Sequence, residues 1–149
     1  MGNIGIVYFE KGEYSKTLEY YFEALKIDTE LKNKEGLARL YGNIGSVYTN
    51  QGDYLKSLEY YFKALKLDEE LENKNGVGRH LGNIGNVYND QGDYQKALDY
   101  YFKALKIAEE LGDKNGTARH LGNIGNAYNN LANYTKGLEF YFKALKIDE

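Results

Sequence analysis

Apolar residues recur along the chain at the spacing that one face of an α-helix produces. Between about Lys74 and Gln91 they fall at Leu81, Ile84, Val87 and Tyr88, three, three and one residues apart, which is the helical period. The pattern predicts a first helix, here called helix A, with Asn73 as its N-cap.

A second apolar stripe follows after a short interruption. Gly92 is predicted to end helix A in the left-handed conformation, and Asp93 to cap the next helix, B, from about Tyr94 to Leu111. Gly112 then ends helix B, and Asp113 caps the next helix A. The stripe of helix B contains Tyr94, Ala97, Leu98, Tyr101, Ala104, Leu105, Ala108 and Leu111.

The same pair of helices is repeated along the chain. A seven-residue segment that varies only at its fifth and sixth positions begins at residues 2, 42, 82 and 122, a period of 40. Such a period indicates a stacked repeat architecture. We predict one all-α domain over 1–149, with repeats 2–41, 42–81, 82–121 and 122–149, and eight helices in four antiparallel hairpins. The first repeat lacks the start of helix A, and the last repeat is incomplete.

Two glycines recur in every helix A, at the first and fourth positions of the seven-residue segment, although each costs about 1 kcal/mol relative to alanine inside a helix. In the third repeat they are Gly82 and Gly85. They are expected where backbones approach closely. Gly85 is on the apolar side and is predicted to meet helix B, whereas the sequence suggests no clear reason for Gly82.

Composition and charge exclude several classes of protein. The chain has 19 basic and 22 acidic residues, a net charge of −3, and no cysteine. This balance gives no electrostatic reason to expect nucleic acid as a partner, and disulfides are excluded. No apolar run is long enough to span a membrane, and no leader precedes the first repeat. We therefore expect a cytoplasmic protein without membrane contact.

The sequence shows no constellation typical of catalysis or metal binding. His80 and His120 are the only histidines, and they are expected in contacts between repeats rather than on a metal. The segment 89–93 looks faintly like a calcium loop but lacks the closing glutamate, so a helix-ending turn is predicted. No nucleophile accompanied by a base is apparent. We predict no enzyme, no catalytic residue and no cofactor.

The small and large residues of the repeat identify a family resemblance. The positions that carry it are Ile84, Gly85, Tyr88, Gly92, Tyr94, Ala97, Tyr101 and Ala104. They resemble the tetratricopeptide repeat, in the longer form of LGN-type scaffolds and kinesin light chains. Glu109 stands where a proline usually closes helix B. The resemblance implies a right-handed superhelical solenoid that binds a peptide or partner segment in a concave groove lined by A helices.

The resemblance also places the groove residues. In the third repeat they are Arg79, Asn83, Asn86 and Asp90, which lie on one stripe of helix A. The equivalent residues are Arg39, Asn43, Ser46 and Asn50, then Arg119, Asn123, Asn126 and Asn130; the first repeat has Asn3, Ile6 and Glu10.

The chemistry of this stripe suits an extended peptide. Asparagine offers both donors and an acceptor to a peptide backbone, and arginine suits carboxylates. We therefore expect a protein or peptide partner with acidic side chains or a free C-terminus. The alternative is structural, with the asparagines bonded to neighbouring helices and the arginines paired with acids of adjacent repeats.

Three consecutive aromatic residues on each helix B form a second candidate surface. In the third repeat they are Tyr100, Tyr101 and Phe102, which cannot all face one side of a helix. We predict Tyr101 in the core, Phe102 against the following repeat, and Tyr100 partly exposed on the convex face. Packing is the favoured role, and a contact surface is the alternative.

The sequence supports two alternative functions. The first is a peptide-binding scaffold. The second is a structural or self-assembling array, either a fragment or a design, without a ligand of its own. The repeat pattern predicts exposed apolar faces on the first helix and on the last hairpin, and hence end-to-end association of copies.

Overall fold

The computed structural model describes residues 2–147. In that range it contains eight α-helices and no strand. They are α1 (Gly2–Glu10), α2 (Tyr14–Glu30), α3 (Lys34–Asn50), α4 (Tyr54–Glu70), α5 (Lys74–Asp90), α6 (Tyr94–Leu111), α7 (Lys114–Asn130) and α8 (Tyr134–Ile147). The predicted all-α fold is confirmed for this part of the chain. Met1, Asp148 and Glu149, which the predicted domain includes, lie outside it.

The helices form two compact units, one ending at Asn73 and the other beginning at Lys74. Each unit holds two hairpins, made of an odd-numbered A helix and the even-numbered B helix that follows. The start of α3 meets the end of α4 through Lys34 Nζ and Glu70 Oε2, 2.8 Å apart. An equivalent ion pair joins Lys74 and Glu110 at 3.1 Å. The paired helices are therefore antiparallel, as the repeat pattern predicts.

The turn after α5 follows the sequence prediction closely. Helix α5 ends at Asp90, and Gly92 adopts a left-handed φ of +80°. The carboxylate of Asp93 then accepts a hydrogen bond from the backbone N–H of Lys96 and so caps α6. The segment 89–93 is thus the last two residues of α5 and the turn that leads to α6.

Not every left-handed turn residue is a glycine. Gly112 has a φ of +66° after α6, but the equivalent residues Lys32 and Glu72 both have a φ of +53°. After α7, Ala132 takes the same role with a φ of +57°. The backbone of these three residues thus adopts a left-handed conformation that is costly for any residue with a Cβ.

The core of each unit lies between the B helix of one hairpin and the A helix of the next. In the first unit, Tyr21 of α2 packs with Ile44 and Val47 of α3. In the second unit, Leu98 and Tyr101 of α6 belong to the same buried cluster as Leu121, Ile124 and Ala127 of α7. Full burial of each large apolar side chain contributes about 1.5–3 kcal/mol. The stacking of hairpins thus follows from the two apolar stripes.

The two glycines of helix A leave space for different partners. A methyl group at Gly85 would lie 2.6 Å from the ring of Tyr101, so the predicted contact between Gly85 and helix B is confirmed. A methyl group at Gly82 would instead lie 2.7 Å from Cε1 of His120. Gly82 therefore admits a histidine of the next A helix, which the sequence did not suggest.

Candidate functional site

The predicted arginines lie exposed on the second turn of their A helices. Arg79 of α5 and Arg119 of α7 line the same open pocket, which has a volume of about 170 Å³. Lys74 adds a third cation to this pocket, and Asp113 is its acidic lining residue. The structure thus brings together two of the predicted arginines, with an excess of positive charge that suits a carboxylate. Arg39 lies on α3 in the other unit.

His120 also lines this pocket, at its buried side. Its side chain is 3% exposed, and Nδ1 has no hydrogen-bond partner among the described residues. Burial and the nearby Arg119 lower the pKa of His120 to about 4, against the opposing effect of Asp113. His120 is therefore neutral at pH 7 and leaves the positive charge to Lys74 and the two arginines.

Asn86 has a structural role in addition to its exposed position. Its Oδ1 accepts one hydrogen bond from the Tyr101 hydroxyl at 2.8 Å and another from Nδ2 of Asn123 at 3.2 Å. Burial raises the pKa of Tyr101 well above its usual value, so that the hydroxyl remains protonated and donates. The asparagines of α5 and α7 are thereby joined in one network.

Asn126 repeats part of this arrangement, because its Oδ1 accepts a 2.6 Å hydrogen bond from the Tyr141 hydroxyl. In the second repeat, Ser46 stands at the same position and its hydroxyl lies 2.8 Å from that of Tyr61. The sequence prediction missed these tyrosine partners. The signal was present, because each polar residue is followed by a tyrosine 15 positions later.

The remaining asparagines of the stripe occupy varied surroundings. Asn43, Asn83 and Asn123 are half-buried. Asn43 lines an open pocket of about 260 Å³ between α1 and α3. Asn130 donates a long, 3.4 Å hydrogen bond to Asn89. The predicted stripe thus contains amides bonded to other side chains, and one amide, that of Asn43, that lines an open pocket.

The aromatic triplet of α6 divides as predicted between core and surface. Tyr101 is buried, and Phe102 meets Phe140 of the following repeat edge-on, with ring centroids 5.7 Å apart. Tyr100 is half-buried and stacks on Tyr88 at 5.5 Å. Packing within and between repeats therefore accounts for all three residues.

Two apolar faces are exposed at opposite ends of the described chain. On α8, Leu138 is 55% exposed, whereas its repeat equivalent Leu98 is only 2% exposed. On α1, Ile4 and Val7 are also exposed. Both faces agree with the sequence prediction. No described helix is both long and apolar enough to cross a membrane, and no described cluster of three His, Cys, Asp or Glu side chains could hold a metal ion.

Stacked antiparallel hairpins with a polar stripe on their A helices define an α-helical repeat protein. The sequence profile of the tetratricopeptide repeat family matches residues 1–70 and 76–149, and the chain belongs to this family. The family assignment confirms the resemblance that the pattern of small and large residues in the third repeat indicates.

Solved structures show the same fold. The aspartyl phosphate phosphatase F of Bacillus subtilis superposes with a TM-score of 0.93 at 20% identity, over 98% of this chain and 38% of that chain. BtubC (BKLC) from P. vanneervenii has a TM-score of 0.90 at 22% identity, over 99% of this chain and 61% of that one. The apo form of RapI has a TM-score of 0.86 at 25% identity, over 96% and 40% respectively.

These structures are longer than the chain, which spans between 38% and 61% of their lengths. The comparison with curated proteins finds no match. The likeness to the solved structures is therefore a likeness of fold.

Proposed function

We propose that the chain is a protein-interaction scaffold that binds an extended peptide along its A helices. The network of Asn86, Tyr101 and Asn123 supports this proposal. It holds two exposed or half-exposed amides in fixed orientations, which lowers the entropy lost when a ligand binds. Membership of a family that generally binds proteins points the same way. No catalytic role is proposed.

The orientation of Asn86 specifies what it offers to a ligand. Its carbonyl oxygen already accepts from Tyr101 and Asn123, so its Nδ2 group supplies the donors. Asn126, whose carbonyl accepts from Tyr141, is equivalent. Both side chains suit the carbonyl oxygens of an extended backbone. Recognition of this kind reads the peptide backbone rather than a particular side chain.

The cationic pocket between α5 and α7 adds a preference for acidic groups. The cations that line it are Arg79, Arg119 and Lys74. Lys74 Nζ is paired with Glu110 Oε2 at 3.1 Å. Two arginines remain to bind a carboxylate with paired hydrogen bonds. The ligand in this proposal therefore carries an acidic side chain or a free C-terminus at that point.

A peptide array of 12-residue sequences, followed by calorimetry on the peptides that bind, tests this function. The double variant Asn83→Ala, Asn123→Ala removes two amides of the stripe and should weaken binding at least tenfold, or about 1.4 kcal/mol. Asn115→Ala, an exposed asparagine on the first turn of α7, is the matched control. Equal affinity of both variants, with unchanged helicity, would contradict the proposal.

Self-assembly is a second candidate function, and the exposed terminal faces favour it. Leu138 and Leu145 of α8 are repeat equivalents of Leu98 and Leu105, which pack on the next A helix. Ile4 of α1 is the equivalent of Ile124, which is fully buried against such a B helix. Helix α1 of a second copy therefore offers the residues that the face of α8 lacks. This contact is heterologous and can continue as a filament.

Light scattering as a function of concentration tests the assembly. Leu138→Glu should abolish the increase of the average molecular mass with concentration, because the contact between copies would bury a carboxylate without a partner. Leu55→Glu, at an 80% exposed leucine of α4, should leave it unchanged. A constant monomer mass up to millimolar concentration would exclude assembly without affecting the peptide-binding proposal.

A further inference from the structure

At one position of the groove stripe the first repeat has an apolar residue where the other three repeats have a polar one. The residues at this position are Ile6, Ser46, Asn86 and Asn126. The three polar residues each pair with the tyrosine hydroxyl that follows 15 positions later. Ile6 cannot make this bond to Tyr21. Among the described residues, the Tyr21 hydroxyl consequently has no hydrogen-bond partner, although the side chain is only 3% exposed.

The same substitution leaves Asn43 unpaired. In the second unit, Asn123 of α7 donates to Asn86 of α5 across two adjacent A helices. The equivalent pair in the first unit is Asn43 of α3 and Ile6 of α1, and an isoleucine offers no acceptor. Asn43 has no hydrogen-bond partner in the part of the chain that the structure describes. Its amide and the Tyr21 hydroxyl are thus available to a ligand.

An open pocket lies where the network is missing. Its volume is about 260 Å³, and Ile6, Phe9, Tyr21, Asn43 and Ser46 line it. Ile6, Phe9 and the ring of Tyr21 form apolar walls, whereas Asn43, Ser46 and the Tyr21 hydroxyl supply polar groups. Within residues 2–147, no charged side chain belongs to this lining, in contrast to the pocket between α5 and α7.

We propose that the pocket between α1 and α3 binds one aliphatic side chain of an extended peptide. The amide of Asn43 and the hydroxyl of Tyr21 bond the peptide groups that flank this side chain. The volume is below the 300 Å³ or so at which pockets for drug-sized ligands begin, so it suits one side chain rather than a whole small molecule. The uncharged lining would leave a carboxylate without a counter-charge.

This inference rests on the proposed function and deepens it. The scaffold would read backbone through its asparagines and an acidic group near Arg79 and Arg119, and the pocket beside Ile6 would add a requirement for an apolar residue. Near-identical repeats would thereby acquire a position-specific preference. One isoleucine in place of asparagine is the source of that preference.

A blocked amino acid tests the pocket directly. N-acetyl-leucine methylamide, titrated into the ¹⁵N-labelled chain to tens of millimolar, should shift the backbone amide signals of Phe9, Asn43 and Ser46. N-acetyl-aspartate methylamide should not shift them. Absence of saturable shifts with the leucine compound would overturn the proposal.

Ile6→Asn is the decisive variant, because it restores the residue that bonds the tyrosine and the neighbouring asparagine in the second unit. It should weaken binding of the leucine compound at least tenfold, or about 1.4 kcal/mol. Ile27→Asn changes the same residue type at an exposed position of α2, away from the lining, and should retain binding. If both variants bind like the original chain, the pocket is not the site.

A third variant keeps the test independent of the folding of α1. Asn86→Ile copies the arrangement of the first unit into the second and should create a second site for the leucine compound near Asn123. Failure of this variant and of the titration, while peptides from the array still bind, would reject the pocket and leave the scaffold function standing. If no array peptide binds but the leucine compound still does, the scaffold function is rejected and the pocket remains supported.

Discussion

Gly82 of α5 lies directly against the imidazole of His120 of α7, and a methyl group on Gly82 would come within 2.7 Å of Cε1. The contact joins two adjacent A helices. Gly122, the repeat equivalent of Gly82 on α7, faces open space, since a methyl group there would meet no described atom within 4 Å. The two glycines thus occupy the same position in the repeat but differ in their surroundings.

Replacement of these two glycines by alanine should have opposite effects. Gly122→Ala should raise the free energy of unfolding by about 0.5–1 kcal/mol through helix propensity. In Gly82→Ala the crowding of His120 should offset this gain and lower the free energy of unfolding by about 1 kcal/mol. Urea unfolding followed by circular dichroism measures both. Equal stabilisation by the two variants would show that the side chain of His120 moves aside without a loss of stability, which would contradict the prediction.

Loss of the amide at two equivalent positions should also have unequal effects. Asn86→Ala leaves the buried hydroxyl of Tyr101 without its acceptor, which should cost about 1–3 kcal/mol. Asn126→Ala removes a similar bond, but Tyr141 is half-buried and its hydroxyl can bond to water instead. The free energy of unfolding should therefore fall by less than about 1 kcal/mol. Thermal unfolding of both variants, compared with Tyr101→Phe, checks the difference. A greater loss in Asn126→Ala would contradict it.

Acid should weaken the packing around His120. Its pKa in the folded chain is about 4, below the value of about 6.5 in an unfolded chain. The unfolded state therefore binds the proton first, and stability decreases as the pH falls from about 6.5 to about 4. In His120→Gln this contribution to the pH dependence of the free energy of unfolding should disappear. Titration of the imidazole Cε1–H signal by NMR, with His80→Gln for assignment, measures the pKa; a value above 6 would contradict the prediction.

The turn after α7 offers a simple stabilising substitution. Ala132 has a φ of +57°, a conformation in which glycine avoids the Cβ penalty. Ala132→Gly should therefore stabilise the chain by about 0.5–1 kcal/mol. The matched reverse change, Gly52→Ala at a φ of +75° with open space around it, should destabilise it by a similar amount. Differential scanning calorimetry provides the comparison.

Helix boundaries and hairpin pairing were predictable because they depend on local rules. The apolar period, the capping Asp93 and the left-handed Gly92 act within a few residues of the chain. The structure agrees with the predicted bounds of α6 and shortens the predicted α5 by one residue. The prediction that Gly85 meets helix B also succeeded, since the two helices of one hairpin are adjacent by connectivity.

The asparagine stripe could be located from sequence, but its hydrogen bonds could not be assigned. Whether Asn86 bonds a ligand or the protein depends on the distance to Tyr101 on another helix and to Asn123 on another repeat. The structural interpretation therefore holds for the carbonyl of Asn86, and ligand binding by the stripe stays a proposal. The amide carbonyl serves the protein, and in our proposal the amide nitrogen serves the ligand.

The sequence by itself determined the period, the helices, the two apolar stripes and the family, because each follows from the spacing of residue types along the chain. Only the tertiary structure decided why Gly82 must be small and where pockets open beside Ile6 and Arg79. These features depend on how one hairpin packs on the next. Packing brings together residues almost a full repeat apart, such as Gly82 and His120, and no local pattern encodes that contact.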